Sequence, residues 1–244
     1  MCATILAMPA ASIRARVRAE MTSEIKAVAR RHLETDGANL SLRAVARDMG
    51  MVSSALYRYF ASRDELLTAL ILDAYNAIGE TVETADGKVA GRSQVRARWL
   101  VAARAVRGWA LARPAEYALL YGSPVPGYAA PADTIVAAAR GPVVLIRILA
   151  DGFAAGVLRP AAGDLPAARA DARMTDTIRA DMRRVRADVA PELPDQLMFT
   201  GITAWVHLFG VVSFELFGQF NNVIEDRPEF FDAQTELMAD IIGL

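Results

Sequence analysis

The amino-acid sequence predicts an all-α protein, and three observations support this fold class. Hydrophobic residues make up 54% of the 244 residues, with alanine abundant among them. Apolar positions recur at spacings of three and four residues along most of the chain, as they do in amphipathic helices. Val, Ile and Thr form none of the alternating runs that indicate strands. A chain of this length can bury a sizeable core in one or two domains.

The N-terminal residues 1–13 are expected to form a flexible segment. They contain an apolar run of about seven residues with no positive charge before it, so the segment differs from a secretory signal. The single cysteine, Cys2, lies here. One cysteine provides neither a disulfide framework nor a cysteine-based metal site, and we expect no metal and no cofactor.

Residues 14–70 are predicted to form a small helical domain. Apolar positions within residues 14–35 have helical spacing, and an Asp-Gly pair ends that helix. Ser41 is a candidate N-cap for a short second helix. Gly50 is well placed for the left-handed conformation that ends this short helix.

Two more helix starts follow within the same domain. Ser53 is a candidate N-cap of a third helix that runs through Phe60, with Val52, Leu56 and Phe60 on one apolar face. Ser62 begins an S-x-x-E capping box, which opens a longer fourth helix. Two short helices around a glycine turn form a helix-turn-helix pattern, and the domain is a three-helix unit of this type.

The second short helix of such a pattern enters the major groove of DNA. Small hydroxyl side chains at its start permit close approach to bases or phosphates, and the tyrosine hydroxyls further along can reach phosphate oxygens. Residues at the starts of the flanking helices can bind phosphates, aided by free backbone N–H groups and the helix dipole. The predicted DNA contacts are Ser41, Arg43, Ser53, Ser54, Tyr57, Tyr59 and Arg63.

Charge is distributed unevenly along the chain. Residues 12–63 contain ten Lys and Arg against five Asp and Glu, a net charge of +5. Residues 64–244 contain seventeen against twenty-three, a net charge of −6, and the whole chain carries −1. A positive segment on an otherwise acidic protein is typical of a protein that binds a polyanion with one end.

Residues 41–67, SLRAVARDMGMVSSALYRYFASRDELL, resemble the DNA-binding module of the TetR family of transcriptional repressors. The matching positions are Ser41, Ala46, Gly50, Leu56, Tyr57, Phe60, Arg63 and Leu66. The departures from the family pattern are Met51-Val52 for Val-Ser, Ser54 for Pro, Tyr59 for His and Arg63 for Lys. The resemblance implies a homodimer that binds a palindromic operator in double-stranded DNA.

Residues 71–244 are predicted to form a larger helical domain for effector binding and dimerisation. One helix is expected over about 92–113, and the next begins at Pro114. A further helix, with a break or kink at Gly141-Pro142, is expected to end at about residue 155. Two more are expected over 164–189 and over 228–242. Residues 114–131 and 204–218 resemble one subclass of TetR ligand-binding domains, of the Trp-His-Gly type. That resemblance implies dimerisation through the last two long helices.

The stretch around residues 195–220 is apolar on nearly all sides, so it must be buried both inward and outward. A second copy of the chain supplies the outer surface. The apolar run within it, residues 201–214, is too short and too interrupted to span a membrane. We expect a cytoplasmic protein with no membrane partner. The predicted dimer contacts are Trp205, Phe209, Val212, Leu216 and Phe217.

The larger domain is expected to bind a small, largely apolar effector. Aromatic residues with a polar atom are suited to such a site, although most aromatics at helical spacing belong to cores. The preferred ligand contacts are Trp109, Tyr117 and His207.

Two other functions compete with that of a ligand-responsive repressor. The chain has two histidines, and it lacks the G-x-S-x-G, H-E-x-x-H and glycine-rich phosphate-binding motifs, so no catalytic residues and no enzyme activity are predicted. A carrier of small hydrophobic molecules that retains a helix-turn-helix module is the alternative. The positive charge of residues 12–63 argues against the carrier, because a carrier does not need that charge.

Overall fold

The computed structural model describes residues 10–161 and 166–244, and every regular element in these ranges is helical. The all-α prediction is therefore confirmed. A short 3-10 turn, Gly37–Asn39, follows the first helix. The helices are α1 (Ala10–Asp36), α2 (Leu42–Asp48), α3 (Ser53–Leu56), α4 (Arg63–Gly87), α5 (Val95–Ala112), α6 (Pro114–Tyr121), α7 (Thr134–Ala154), α8 (Pro166–Asp171), α9 (Asp176–Arg186), α10 (Asp195–Leu216) and α11 (Arg227–Ile242).

Two hydrophobic cores share the helix α4. Its first turns contribute Leu66 and Leu70 to a small core with α1, α2 and α3. Its later turns contribute Ile78 and Val82 to a larger core with α5, α6, α7, α10 and α11. The domain boundary that we place after residue 70 thus falls inside a continuous helix, and a movement of α4 affects both cores.

Helix α1 starts earlier than the sequence predicted. It begins at Ala10, so residues 10–13 of the expected flexible segment are helical. Two alanines open this stretch, and alanine has the highest helix propensity. Residues 1–9 lie outside the described residues.

The turn between α2 and α3 has the geometry predicted from its glycine. The Ser41 hydroxyl accepts a hydrogen bond from the Ala44 N–H at 3.4 Å and caps α2. Gly50 has a φ of 65°. The Gly50 N–H donates to the Arg47 carbonyl at 3.0 Å, and the next N–H, of Met51, donates to the Ala46 carbonyl at 2.8 Å. This pair of bonds is a Schellman motif, which ends the helix and fixes the direction in which α3 begins.

Gly50→Ala is expected to lower the free energy of unfolding by about 1 kcal/mol, because an L-residue is strained at positive φ. Gly108→Ala is the matched control. Gly108 lies inside α5 without a positive φ, and no atom would contact an added Cβ within 4 Å. Alanine there should raise stability, by up to about 1 kcal/mol. Urea unfolding of both variants at one protein concentration measures the sign of each change in the free energy of unfolding. A destabilising Gly108→Ala or a stabilising Gly50→Ala would contradict the conformation assigned to that glycine.

Helix α3 is shorter than predicted, and Ser53 is not its N-cap. Ser53 is the first helical residue, and Val52 occupies the cap position without a side-chain hydrogen bond. After Leu56 the backbone tightens, because the Tyr59 N–H donates to the Leu56 carbonyl three residues back at 2.9 Å. This turn brings Phe60 into the small core. The Phe60 N–H also donates to the Leu56 carbonyl, at 3.1 Å, so one bond of helical spacing persists beyond the end of α3.

The capping box at α4 is realised with one difference. The Ser62 hydroxyl accepts from the Glu65 N–H at 3.1 Å, as predicted. The Glu65 carboxylate accepts from the N–H of Ala61, one residue before the cap, at 2.6 Å. Both bonds fix the start of α4 beside α2.

Two further predictions in the larger domain differ from the structure in part or in full. Of the break or kink expected at Gly141-Pro142, the break does not occur, because α7 continues through Pro142. Residues 164–189 do not form one helix, since α8 and α9 are separate. The Thr175 hydroxyl accepts from the Ile178 N–H at 3.3 Å and starts α9 anew. A local cap explains this break, as helix starts favour threonine in this role.

Candidate nucleic-acid interface and ligand cavity

Four of the seven predicted DNA contacts line one surface depression. It lies between the start of α2, the turn after α3 and the start of α4, and its polar lining includes Ser41, Arg43, Tyr57 and Arg63. The N-termini of α2 and α4 both border it. Backbone N–H groups at helix N-termini bind anions, so the depression has the chemistry of a phosphate site.

Arg43 is the exposed cation at this surface. It lies in the first turn of α2 and makes no hydrogen bond or ion pair with the residues that the structure describes. Ser54, in the first turn of α3, is also exposed, whereas Ser53 is half-buried. Arg43 and Ser54 are therefore both accessible to a nucleic acid.

Arg63 also has a structural role. Its Nε donates to the Leu40 carbonyl at 3.1 Å, and a terminal nitrogen lies 3.4 Å from the Asp64 carboxylate. These contacts tie the start of α4 to the start of α2. A phosphate contact by Arg63 would add to this function, so its substitution affects stability as well.

The two tyrosines differ in their surroundings. Tyr57 is exposed and lines the depression. Tyr59 packs against the small core, and the Arg18 guanidinium lies 5.1 Å from its ring centroid. Arg18 also donates to the Arg58 carbonyl at 3.0 Å. Arg18 of α1 therefore contacts the turn that follows α3 and fixes its position.

The surface position of Val52 was not predicted from the sequence. Helical spacing predicted a buried face shared with Leu56 and Phe60, but the Val52 side chain is 71% exposed. Its position before the predicted cap, Ser53, was the available signal, because residues that precede a helix escape its periodicity. Exposed methyl groups at this point are suited to contact thymine methyls in the major groove.

Helix α6 connects the two cores. On one side, Ala115 and Leu119 pack against the small core. On the other side, Tyr117 is buried in the larger core. The Arg30 side chain of α1 lies 2.9 Å from the Glu116 carboxylate. A shift of α6 would therefore displace α1, which is part of the small domain.

The three predicted ligand contacts lie in or beside the larger core. The Tyr117 hydroxyl donates to the Phe209 carbonyl at 3.2 Å and lies 2.9 Å from the Ser213 hydroxyl. Trp109 is buried, with the Arg113 guanidinium 6.0 Å from its ring centroid. His207 is half-buried on α10. None of the three lines the apolar cavity of this domain.

That cavity lies between α7, α9 and α10 and has a volume of about 220 Å³. We call it the outer cavity. Trp205, which is predicted from the sequence to lie at the dimer interface, forms part of its wall. Its lining residues are Pro142, Leu145, Ile146, Leu149, Val185, Met198, Gly201, Ile202 and Trp205.

The predicted dimer contacts are divided between the inside and the outside of the protomer. Val212 is 0% exposed and Phe209 is also buried, so neither is accessible to a second copy in this conformation. Leu216 is half-buried, and Phe217 is exposed. α10 is apolar on all sides, so its periodicity does not separate the two faces.

Helices α10 and α11 each carry exposed apolar side chains, and aromatic contacts join the two helices. Phe214 contacts Phe220, with ring centroids 5.7 Å apart, and Phe220 contacts Phe230 of α11 at 5.3 Å. We call the exposed apolar residues of this helix pair the α10–α11 face. Its exposed members on the two helices are Val206, Gly210, Phe214, Phe217, Leu237 and Ile241.

Helix α10 is longer than the apolar run of residues 201–214. At 22 residues it is long and apolar enough to cross a membrane, and it is the one such helix among the described residues. It packs against α5, α7 and α11, and Glu215 lies 2.6 Å from Arg107 of α5. In this fold α10 is a core helix with one exposed apolar side.

Comparisons with known proteins agree with this architecture. Residues 25–70 match the family described as bacterial regulatory proteins of the tetR family. Residues 99–238 match the tetracyclin repressor-like C-terminal domain. The first match covers the helix-turn-helix segment, and the second covers most of the larger domain.

Curated relatives are similar over nearly the whole chain. The HTH-type transcriptional regulators Rv1816 of Mycobacterium tuberculosis and Mb1846 of Mycobacterium bovis are each 38% identical over 237 residues, which covers 93% of this chain and 94% of theirs. The crystal structure of SCO4313, described as a regulatory protein, is 33% identical with a TM-score of 0.72. It covers 92% of this chain and 98% of its own. The chain therefore belongs to the TetR family of helix-turn-helix transcriptional regulators.

Proposed function

We propose that this regulator is a cytoplasmic, ligand-responsive repressor. It binds a palindromic operator as a homodimer and releases it when a small apolar effector enters the larger domain. The observation that carries the DNA part is the depression between the start of α2, the turn after α3 and the start of α4, which Ser41, Arg43 and Tyr57 line with exposed side chains.

The contacts at this surface divide into two kinds. Arg43, Tyr57 and the helix N-termini bind phosphates and set the position of the protein on DNA. Ser54 and Val52 lie at the start of α3, the part of a recognition helix that reaches base edges. Sequence preference thus depends on Ser54 and Val52, and salt dependence depends on Arg43.

The α10–α11 face supports dimerisation. Val206 is 64% exposed and Phe214 is 52% exposed in one protomer. Exposed apolar surfaces of this kind mark protein–protein interfaces. Pairing of the same face on two copies would form a symmetric interface and present two recognition helices to two half-sites.

The coupling between effector and operator is a population shift. Because α6 packs on both cores and Glu116 pairs with Arg30, different positions of α6 favour different positions of the small domains. An effector that prefers the conformation with the wrong spacing of recognition helices lowers operator affinity by its coupling free energy.

Selection from a genomic fragment library at several salt concentrations, followed by sequencing of the retained fragments, tests this proposal. The expected result is a palindrome whose half-sites lie about one helical turn apart, with centres about 34–36 Å apart. Weak, sequence-independent retention that modest salt abolishes would contradict the repressor and favour the carrier.

A further inference from the structure

The outer cavity has no charged lining. Eight of its nine lining side chains are aliphatic, thioether or glycine, and the indole N–H of Trp205 is the single polar side-chain group among them. Transfer of a charged group into such a site, without a partner, costs several kcal/mol or shifts its protonation. The lining therefore selects uncharged molecules.

The size of the cavity limits the ligand further. A cavity of about 150 Å³ lined by apolar side chains holds benzene. The outer cavity, at about 220 Å³, exceeds that volume by about half, which leaves room for substituents or a second fused ring on a bound benzene ring. Gly201 lets Leu149, another lining residue, pack closely against α10, because a Cβ there would lie 2.4 Å from a terminal methyl of Leu149.

The cavity has a mouth at α9. Val185 is the lining residue that α9 contributes, and its side chain is 47% exposed. The next residue, Arg186, ends α9, and its guanidinium lies 2.6 Å from the Asp195 carboxylate at the start of α10. This ion pair fixes the end of α9 beside the mouth.

Trp205 separates the outer cavity from a second, smaller cavity that also touches Tyr121 and Phe209. The Trp205 and Phe209 ring centroids are 4.3 Å apart, and those of Phe209 and Tyr121 are 4.5 Å apart. Burial raises the pKa of the Tyr121 hydroxyl above its ordinary value. Tyr121 ends α6, so the inner wall of the outer cavity is joined to α6 by three aromatic rings.

We infer that the outer cavity is the effector site and that it takes an uncharged molecule of one or two aromatic rings, which contacts Trp205. This inference rests on the proposed function, in which the larger domain binds an effector. A ring held against Trp205 would stack or meet it edge-on, which adds to apolar burial. Displacement of Trp205 toward Phe209 would then change the packing of Tyr121 and α6.

Toluene and benzoate are matched probes, because they share a ring and differ in charge. Each is titrated into the full-length protein while the indole N–H signals of its three tryptophans are followed by NMR. Trp205→Phe assigns the signal of Trp205. Toluene is expected to shift this signal most, and benzoate to bind at least about tenfold more weakly, a difference of about 1.4 kcal/mol.

Val185→Trp tests the position of the site by filling its mouth. It should weaken toluene binding at least about tenfold. Val136→Trp is the control, since Val136 is an exposed valine on α7 outside the cavity lining and should leave binding unchanged. Equal binding of benzoate, or wild-type toluene affinity in Val185→Trp, would overturn the inference.

Operator binding separates this inference from the proposed function. If the protein binds its operator but no probe shifts Trp205, the cavity assignment is wrong and the DNA part of the function stands. If toluene shifts Trp205 and operator affinity does not change, the cavity binds an apolar ring but is not the effector site, and the inference is overturned while operator binding stands.

Discussion

Gly210→Glu is expected to convert the dimer into monomers and to weaken operator binding by about 10²- to 10⁴-fold, the gain that linking two half-site contacts provides. Gly210 lies on the α10–α11 face, and an added Cβ would meet no atom within 4 Å in the protomer. The substitution therefore leaves the protomer intact. In the dimer it would bury a carboxylate without a partner on each side, at a cost of several kcal/mol.

Gly108→Glu is the matched control for this variant. Gly108 is also an exposed helical glycine with open space around it, on α5. The Gly108→Glu substitution introduces the same charge and side chain away from the α10–α11 face. Sedimentation at several protein concentrations should give a monomer for Gly210→Glu and a dimer for Gly108→Glu. A dimer for both variants would show that the protomers associate through another surface.

Arg43→Ala is expected to weaken binding to all DNA sequences alike, at least about tenfold per dimer at low salt. The slope of log K against log salt should fall by about one unit for each phosphate interaction that the substitution removes, thus by about two per dimer. Arg43 is exposed and holds no other described residue in place, so stability should not change.

Arg173→Ala is the control for the removal of positive charge. Arg173 is exposed in the segment between α8 and α9, outside the helix-turn-helix domain. Its substitution should leave the salt slope unchanged. Arg63→Ala is a poorer test, because Arg63 also donates to the Leu40 carbonyl. An unchanged slope in Arg43→Ala would refute its phosphate contact, and a changed preference between sequences would assign it to base readout.

The features of the small domain that could be predicted from sequence are set by local chemistry. Ser41, Gly50 and Ser62 act through hydrogen bonds or φ values within a few residues, and all three have the conformation expected of them. Two details of α3 were not predicted from local signals: Val52 and not Ser53 is at its cap position, and the helix ends at Leu56. Beyond that end, Phe60 packs against helices distant in sequence, and local capping preferences contain no information on such packing.

The larger domain was less predictable because its helices are apolar on more than one side. No periodicity in α10 distinguishes buried Val212 from exposed Phe214. The outer cavity depends on three helices that come together only in the fold, and Trp205 lines it for that reason. Trp109 and Tyr117 had suitable chemistry, but they are buried in the core away from this cavity.

The most direct test of the central claim is the affinity of the protein for its selected operator after five base pairs are inserted between the half-sites. Half a helical turn puts the two half-sites on opposite sides of the duplex, where one dimer cannot bind both in the major groove. Operator affinity is expected to fall to that of a single half-site. Unchanged affinity would contradict a dimer that presents two fixed recognition helices to DNA.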